Sequence, residues 1–236
     1  MKKVKLIIQF FVLILFISAC SPESKHPTII HHSAPDLKVD SAWIEQVDCP
    51  LEERSPQYYS GTCSPDSELY KMGCEQIGVS HLFVGLSYPL VLCNNFKYDS
   101  PGPEFAEVGC YLGNHHEAFL ILRNGSYQLL GIGDLKKIFT PINSPNEALS
   151  YVLASTEYYP KYNIRIMSEH HYFVDEVEET YVKETKDGFL VHLFYDPKPC
   201  GCDEHYTDIV DVLVKHDGTI RVKRSYHFSK AFMCVD

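Results

Sequence analysis

Residues 180–195, TYVKETKDGFLVHLFY, decide the fold class. Thr180 to Lys186 and Phe189 to Tyr195 are rich in β-branched and aromatic side chains, and Asp187-Gly188 stands between them. Asp-Gly between two such runs is a hairpin signal, because a two-residue type I′ turn needs positive φ at its centre and glycine supplies it without strain. The same grammar recurs downstream. His205 to Lys215 and Thr219 to Phe228 flank Asp217-Gly218, which predicts a second hairpin and hence an antiparallel meander.

Upstream, Ser144-Pro145-Asn146-Glu147 spells a capping box with proline in the first helical turn, where its missing N–H costs nothing. Ala148, Leu149, Val152 and Leu153 follow at helical spacing, so a helix running to about Ser155 is expected with that one face apolar. A helix followed by a meander is an α+β layer in which the helix covers one face of the sheet. Its outline is similar to cystatin-like and NTF2-like folds, a likeness of architecture that implies no activity. The segment LKKIFTPINSPNEALSYVLA, 135–154, resembles a stretch that recurs in uncharacterised exported bacterial proteins.

Residues 43–133 read differently. Turn-rich patches such as RSPQYYSGTCSPD and NNFKYDSPGPEF alternate with short apolar runs, among them Leu90-Val91-Leu92-Cys93. A short helix fits Ser67 to Ile77, and Asn124-Gly125 between Ala118–Arg123 and Tyr127–Ile132 predicts a third hairpin. The expected organisation is therefore a cysteine-rich β region over 43–133 and a helix-plus-sheet module over 134–236.

The chain opens MKKVKLIIQFFVLILFISAC. Three lysines precede an apolar run of about a dozen residues, shorter than the roughly 20 that span a bilayer as a helix. A charged start, a short apolar middle and small residues before a cut make a secretory signal over 1–19. Ile17-Ser18-Ala19-Cys20 resembles the lipobox of bacterial lipoproteins read by signal peptidase II. The resemblance implies that Cys20 carries a diacylglyceryl thioether, becomes the mature N-terminus and is N-acylated, fixing the protein to a membrane. Two or three acyl chains give stable anchoring where one is marginal. Ser21 follows, not Asp, which in a Gram-negative host implies the outer membrane. Residues 20–42, with three prolines and little periodicity, are expected to form a flexible tether that holds the body roughly 25 Å from the bilayer.

Export frames the cysteines. Of the nine, Cys20 is the lipid acceptor, which leaves Cys49, Cys63, Cys74, Cys93, Cys110, Cys200, Cys202 and Cys234. An even number in an oxidising compartment is a disulfide framework, though eight cysteines allow 105 pairings. Pro199-Cys200-Gly201-Cys202-Asp203-Glu204-His205 is expected in the connection between the last two hairpins. A Cys200–Cys202 ring would be very small, so each thiol is expected to pair elsewhere, with Cys234 a natural partner for one. The alternative is zinc or copper held by Cys200, Cys202 and His205, with help from His227, since thiolate and imidazole suit those metals. The spacing is not the CxxC of dithiol redox proteins.

Charge narrows the partners. The full chain carries −10, and removal of the three-lysine leader takes 217 residues to 18 − 31 = −13. That balance excludes nucleic acid and charge-driven adhesion to anionic lipid. No GxSxG, HExxH, SxxK or phosphate-cradling glycine loop occurs. The paired histidines His31-His32, His115-His116 and His170-His171 read as solvated linker or strand-end positions, and His192 as a hydrogen-bonded histidine of the sheet. Asp175-Glu176-Val177-Glu178-Glu179 lacks the glycine and spacing of a calcium loop. The expected role is a membrane-anchored binding or envelope-structural module without catalytic residues or cofactor; the alternative is an extracytoplasmic metal or redox protein.

Overall fold

The computed structural model describes residues 26–40, 44–56, 58–88, 90–97, 102–108, 115–123, 125–197 and 201–235. The leader, Cys20, Cys110, Cys200 and Asn124 of the expected turn lie outside the described residues.

The strands are β1 (Thr28–Ile30), β2 (Glu52–Ser55), β3 (Tyr58–Thr62), β4 (Gln76–Ser80), β5 (Val91–Asn95), β6 (Ala106–Val108), β7 (His115–Arg123) and β8 (Ser126–Leu130) in the first half. The second half adds β9 (His171–Tyr172), β10 (Glu176–Glu178), β11 (Tyr181–Thr185), β12 (Gly188–Tyr195), β13 (Gly201–Val214) and β14 (Ile220–Val235). The helices are α1 (Glu68–Lys71), α2 (Ile132–Phe139) and α3 (Pro145–Ser155). The class is α+β, dominated by antiparallel sheet.

One sheet runs β11-β12-β13-β14-β9; a second runs β2-β3-β4-β5-β7-β6, with β8 also on β7; β1 and β10 form a separate parallel pair. Alternation of side chains sorts the packing. Phe189, Val191, Leu193, Val210, Val212 and Val214 face α2 and α3, and Leu90, Ile121 and Leu130 of the first half join the same core. Residues on either side of the expected 133/134 boundary thus share one interior. The opposite face of the second sheet buries Ile77, Val79, Val91 and Leu120 with Leu69 and four half-cystines. The outer face of the first sheet buries Phe194, Ile209 and Phe228 under Tyr172 and Val177.

Helix α3 forms as its sequence predicts. Ser144 Oγ accepts from the Glu147 N–H at 3.2 Å, and Glu147 Oε2 accepts from the Ser144 N–H at 3.1 Å. Its surroundings differ from the expectation of one buried face. All seven residues from Ala148 to Ala154 are buried, because the helix lies between the two sheets. Ser150 Oγ donates to Leu82 O at 2.5 Å and accepts from the Gly85 N–H at 3.2 Å. A Cβ on Gly85 would sit 2.5 Å from Asn146 O, so the chain there approaches the helix as only glycine allows.

The two expected Asp-Gly hairpins form, neither of them around a type I′ turn. The partners are Thr185↔Gly188 and Val214↔Ile220, and only Gly188 and Gly218 carry positive φ. In the second, the Gly218 N–H donates to Lys215 O at 2.9 Å, a β-turn closed by a left-handed glycine, the three-residue hairpin form.

The tether expected over 20–42 is in part docked structure. β1 pairs in parallel with β10, Ile29 opposite Val177. The carboxylate of Glu179 accepts from His31 Nδ1 at 2.9 Å and from the His32 N–H at 3.1 Å, and His32 Nε2 meets Glu178 at 3.1 Å. The acidic run is therefore the receptor for residues 28–32, a role that charge pairing across 146 to 148 residues hides from local sequence.

Candidate functional site

The Cys200–His205 region is not a connecting loop from Gly201 onward. β13 begins at Gly201, and β14 continues to Val235 opposite it. β12 accompanies β13 only from Asp208 to Val214, and β9 accompanies β14 only at Ser229 and Lys230, so Gly201–His205 and Ala231–Val235 project as a two-stranded ribbon. Such a ribbon is marginal alone. Cys202 stands directly opposite Cys234, and their disulfide, with Cα atoms 4.0 Å apart, closes its far end. The other described bridges, Cys49–Cys63 and Cys74–Cys93, lie in the second sheet's core.

The bridge also corrects the metal alternative. Cys202 is bonded to Cys234 and has no thiolate to offer, and the ring Nε2 of His205, 8 % exposed, meets Gly201 O at 2.8 Å. His227 lies instead across from Asp208, its Nδ1 2.6 Å from that carboxylate. Among the described residues no group of three or more His, Cys, Asp or Glu side chains is arranged to hold a metal ion.

Beside the ribbon is an open pocket of about 590 Å³ lined by Phe173, Asp203, Glu204, Tyr206, His227 and Lys230, with Pro197 at its margin. The strands place these groups. Phe173, which follows β9, is fixed by its N–H donating to Phe228 O at 3.0 Å. Its ring, 44 % exposed, stacks 6.2 Å from Tyr206 at 15°, and His227 leans on both at 5.8 and 5.0 Å. Lys230 donates to Glu204 at 2.7 Å. That bond holds the Glu204 carboxyl below its ordinary range and raises the Lys230 ammonium. An aromatic platform bordered by carboxylates, one ammonium and an imidazole suits recognition of a polar ligand through stacking and charge-assisted hydrogen bonds.

The other sequence candidates are scattered. His192 is 4 % exposed on the outer face of the first sheet; its Nδ1 is 2.6 Å from Asp211, its ring stacks on Tyr181 at 5.0 Å, and its buried Nε2 has no partner. Tyr181, His192, Asp211 and Arg224 form one cross-strand row. His115 pairs with Glu117 at 2.8 Å and stacks on Phe96, while His116 buries an unpartnered Nδ1. His170 stacks on Tyr172, and His171 packs edge-on against Phe173. Sequence reasoning missed Phe173, Tyr206 and Asp208 because cross-strand register, not spacing along the chain, brings them to His227.

No family model, curated protein or solved structure matches the chain.

The exposure of the bridges predicts an order of reduction. Cys202 and Cys234 are exposed, whereas Cys74 and Cys93 are fully buried and Cys49 and Cys63 nearly so. Brief treatment with a mild thiol reductant followed by alkylation should label Cys202 and Cys234 first. Labelling of Cys74 or Cys93 at the same rate, read by peptide mass mapping, would contradict this packing.

Proposed function

We propose that this chain is a lipid-anchored binding module of the bacterial cell envelope, fixed to a membrane through Cys20 and presenting the β13–β14 ribbon to a protein or envelope partner. The observation that carries the reading is the disulfide framework, which persists in an oxidising extracytoplasmic compartment and not in a reducing cytosol. It stands behind a leader whose Ile17–Cys20 resembles a lipobox. In a Gram-negative host, Ser21 favours the outer membrane. Among the described residues no helix is long and apolar enough to cross a membrane. A helix packed on an antiparallel sheet supports reading the second half as cystatin-like or NTF2-like in outline, from which no activity is taken.

Docking of β1 shortens the tether. Only residues 21–27 separate Cys20 from Thr28, and fully extended they reach about 25 Å. The body is therefore held within about that distance of the headgroups.

Mass mapping of protein purified from its own host tests the reading. The expected mature species starts at Cys20, carries diacylglyceryl mass on it, and yields the peptides bridged 49–63, 74–93 and 202–234. Cys20→Ala should abolish the acyl mass and release the protein from the membrane fraction. A chain that keeps Met1, lacks acyl mass and alkylates freely at those six cysteines would overturn it.

A further inference from the structure

A second cavity, of about 490 Å³, opens where α3 ends, between that end and β6, β7 and β8. Its volume is that of a small-molecule site. Phe83, Phe119, Leu130 and Leu153 give it apolar walls. Among the described residues, every ionisable side chain lining it is acidic: Glu104, Glu107, Glu117 and Glu157. Glu117 is shared with His115 at 2.8 Å, and burial raises the Tyr195 phenol, with the negative charge of Glu157 adding to that rise.

Independently, α3 ends at this cavity, with Leu153, Ala154 and Ser155 among its lining residues, and the last turn of the helix contains no basic residue. The C-terminal end of a helix carries partial negative charge that lysine or arginine ordinarily answers. Here the described residues lining the cavity supply none, and Thr156 Oγ1 donates to Val152 O at 2.7 Å.

We propose that this cavity binds an amphipathic organic cation, a molecule with an apolar body of phenyl or short alkyl size and one ammonium group. The body packs on Phe83, Phe119 and Leu130, and the ammonium sits among the end of α3, Glu104 and Glu157. An anion of the same shape meets repulsion from both sources, and an uncharged one forgoes the attraction. The site lies in the folded body, so its test is independent of the lipid anchor and fails or succeeds separately from it.

The test is calorimetric titration of the purified, oxidised protein at low salt with 4-phenylbutylammonium, 4-phenylbutanol and 4-phenylbutanoate. Expected is saturable one-to-one binding of the ammonium, about tenfold weaker binding of the alcohol, and none of the carboxylate. The gap between ammonium and alcohol should shrink at high salt. The double variant Glu104→Gln, Glu157→Gln should bind the ammonium no better than the alcohol. Ala106→Trp, which fills the cavity from the edge strand, should lose both ligands while keeping its melting temperature. If the ammonium does not saturate, if the carboxylate binds equally well, or if folded Ala106→Trp binds undiminished, the proposal is overturned.

Discussion

Ser150→Leu is expected to melt about 10 °C or more below the parent protein. The capping box and the apolar stripe Ala148, Leu149, Val152, Leu153 put Ser150 on the polar face of an amphipathic helix, where leucine would be harmless and a good helix former. The folded protein places Ser150 at 0 % exposure, against the turn after Phe83. Leucine there removes the hydroxyl that partners Leu82 O and the Gly85 N–H. Leaving such groups unsatisfied in the interior costs about 1–3 kcal/mol. It also forces extra methyl groups into a contact so close that Gly85 has no room for a Cβ, and overpacking costs about 1–3 kcal/mol more. For a chain of this size 1 kcal/mol shifts the midpoint by about 2–4 °C, which gives the expected drop. Asn146→Ala, exposed in the first turn of the same helix, should stay within about 0.5 kcal/mol. Equal melting temperatures for Ser150→Leu and Asn146→Ala would show that α3 is a surface helix and that the two sheets do not enclose it.

The contrast shows which parts of this fold are written locally. The cap at Ser144 and Glu147 and the two Asp-Gly hairpins are fixed by residues a few positions apart; the cap forms where the sequence places it, and the first hairpin turn falls one residue earlier, on Lys186-Asp187. The number of sides on which a helix is covered is not a local property. Ser150 and Tyr151 carry polar atoms, yet both are buried, Tyr151 donating its hydroxyl to Gly218 O at 3.0 Å. The ribbon escaped detection for a related reason. Gly201 to Glu204 offers no apolar alternation, and the strand there depends on its partner β14 and on the Cys202–Cys234 bridge. The candidate site follows the ribbon, since His227 meets Asp208 and Tyr206 only through cross-strand register. Helix α2 is also poorly marked, with Gly133 inside it lowering helix propensity.

The acidic run yields the second large effect. Glu179 is 2 % exposed and its carboxylate accepts from the Ile164 N–H at 2.8 Å, from His31 Nδ1 and from the His32 N–H. Glu179→Ala leaves the Ile164 and His32 N–H groups without this acceptor, for which a loss of about 3 kcal/mol or more is expected. The loss should fall locally first. Amide exchange of residues 28–32 should accelerate strongly while β12 stays protected, and unchanged protection of 28–32 would refute the docking. A pH dependence follows. Burial pushes the Glu179 carboxyl up, but the hydrogen bonds from Ile164, His31 and His32 together outweigh it and leave it below the ordinary 4.5. A carboxyl depressed by folding stabilises the fold above its unfolded value, and that contribution is lost as pH falls from 4.5 through the folded value. β1 should therefore let go on acidification below 4.5, and Glu179→Gln should remove this carboxyl's share of the response. Release has a mechanical consequence under the lipid-anchored reading. The segment between Cys20 and the next residue packed on the body grows from 21–27 to 21–38, since Val39 rests against the core of the second sheet, so acid would let the body rise from the membrane surface on a tether roughly two to three times longer.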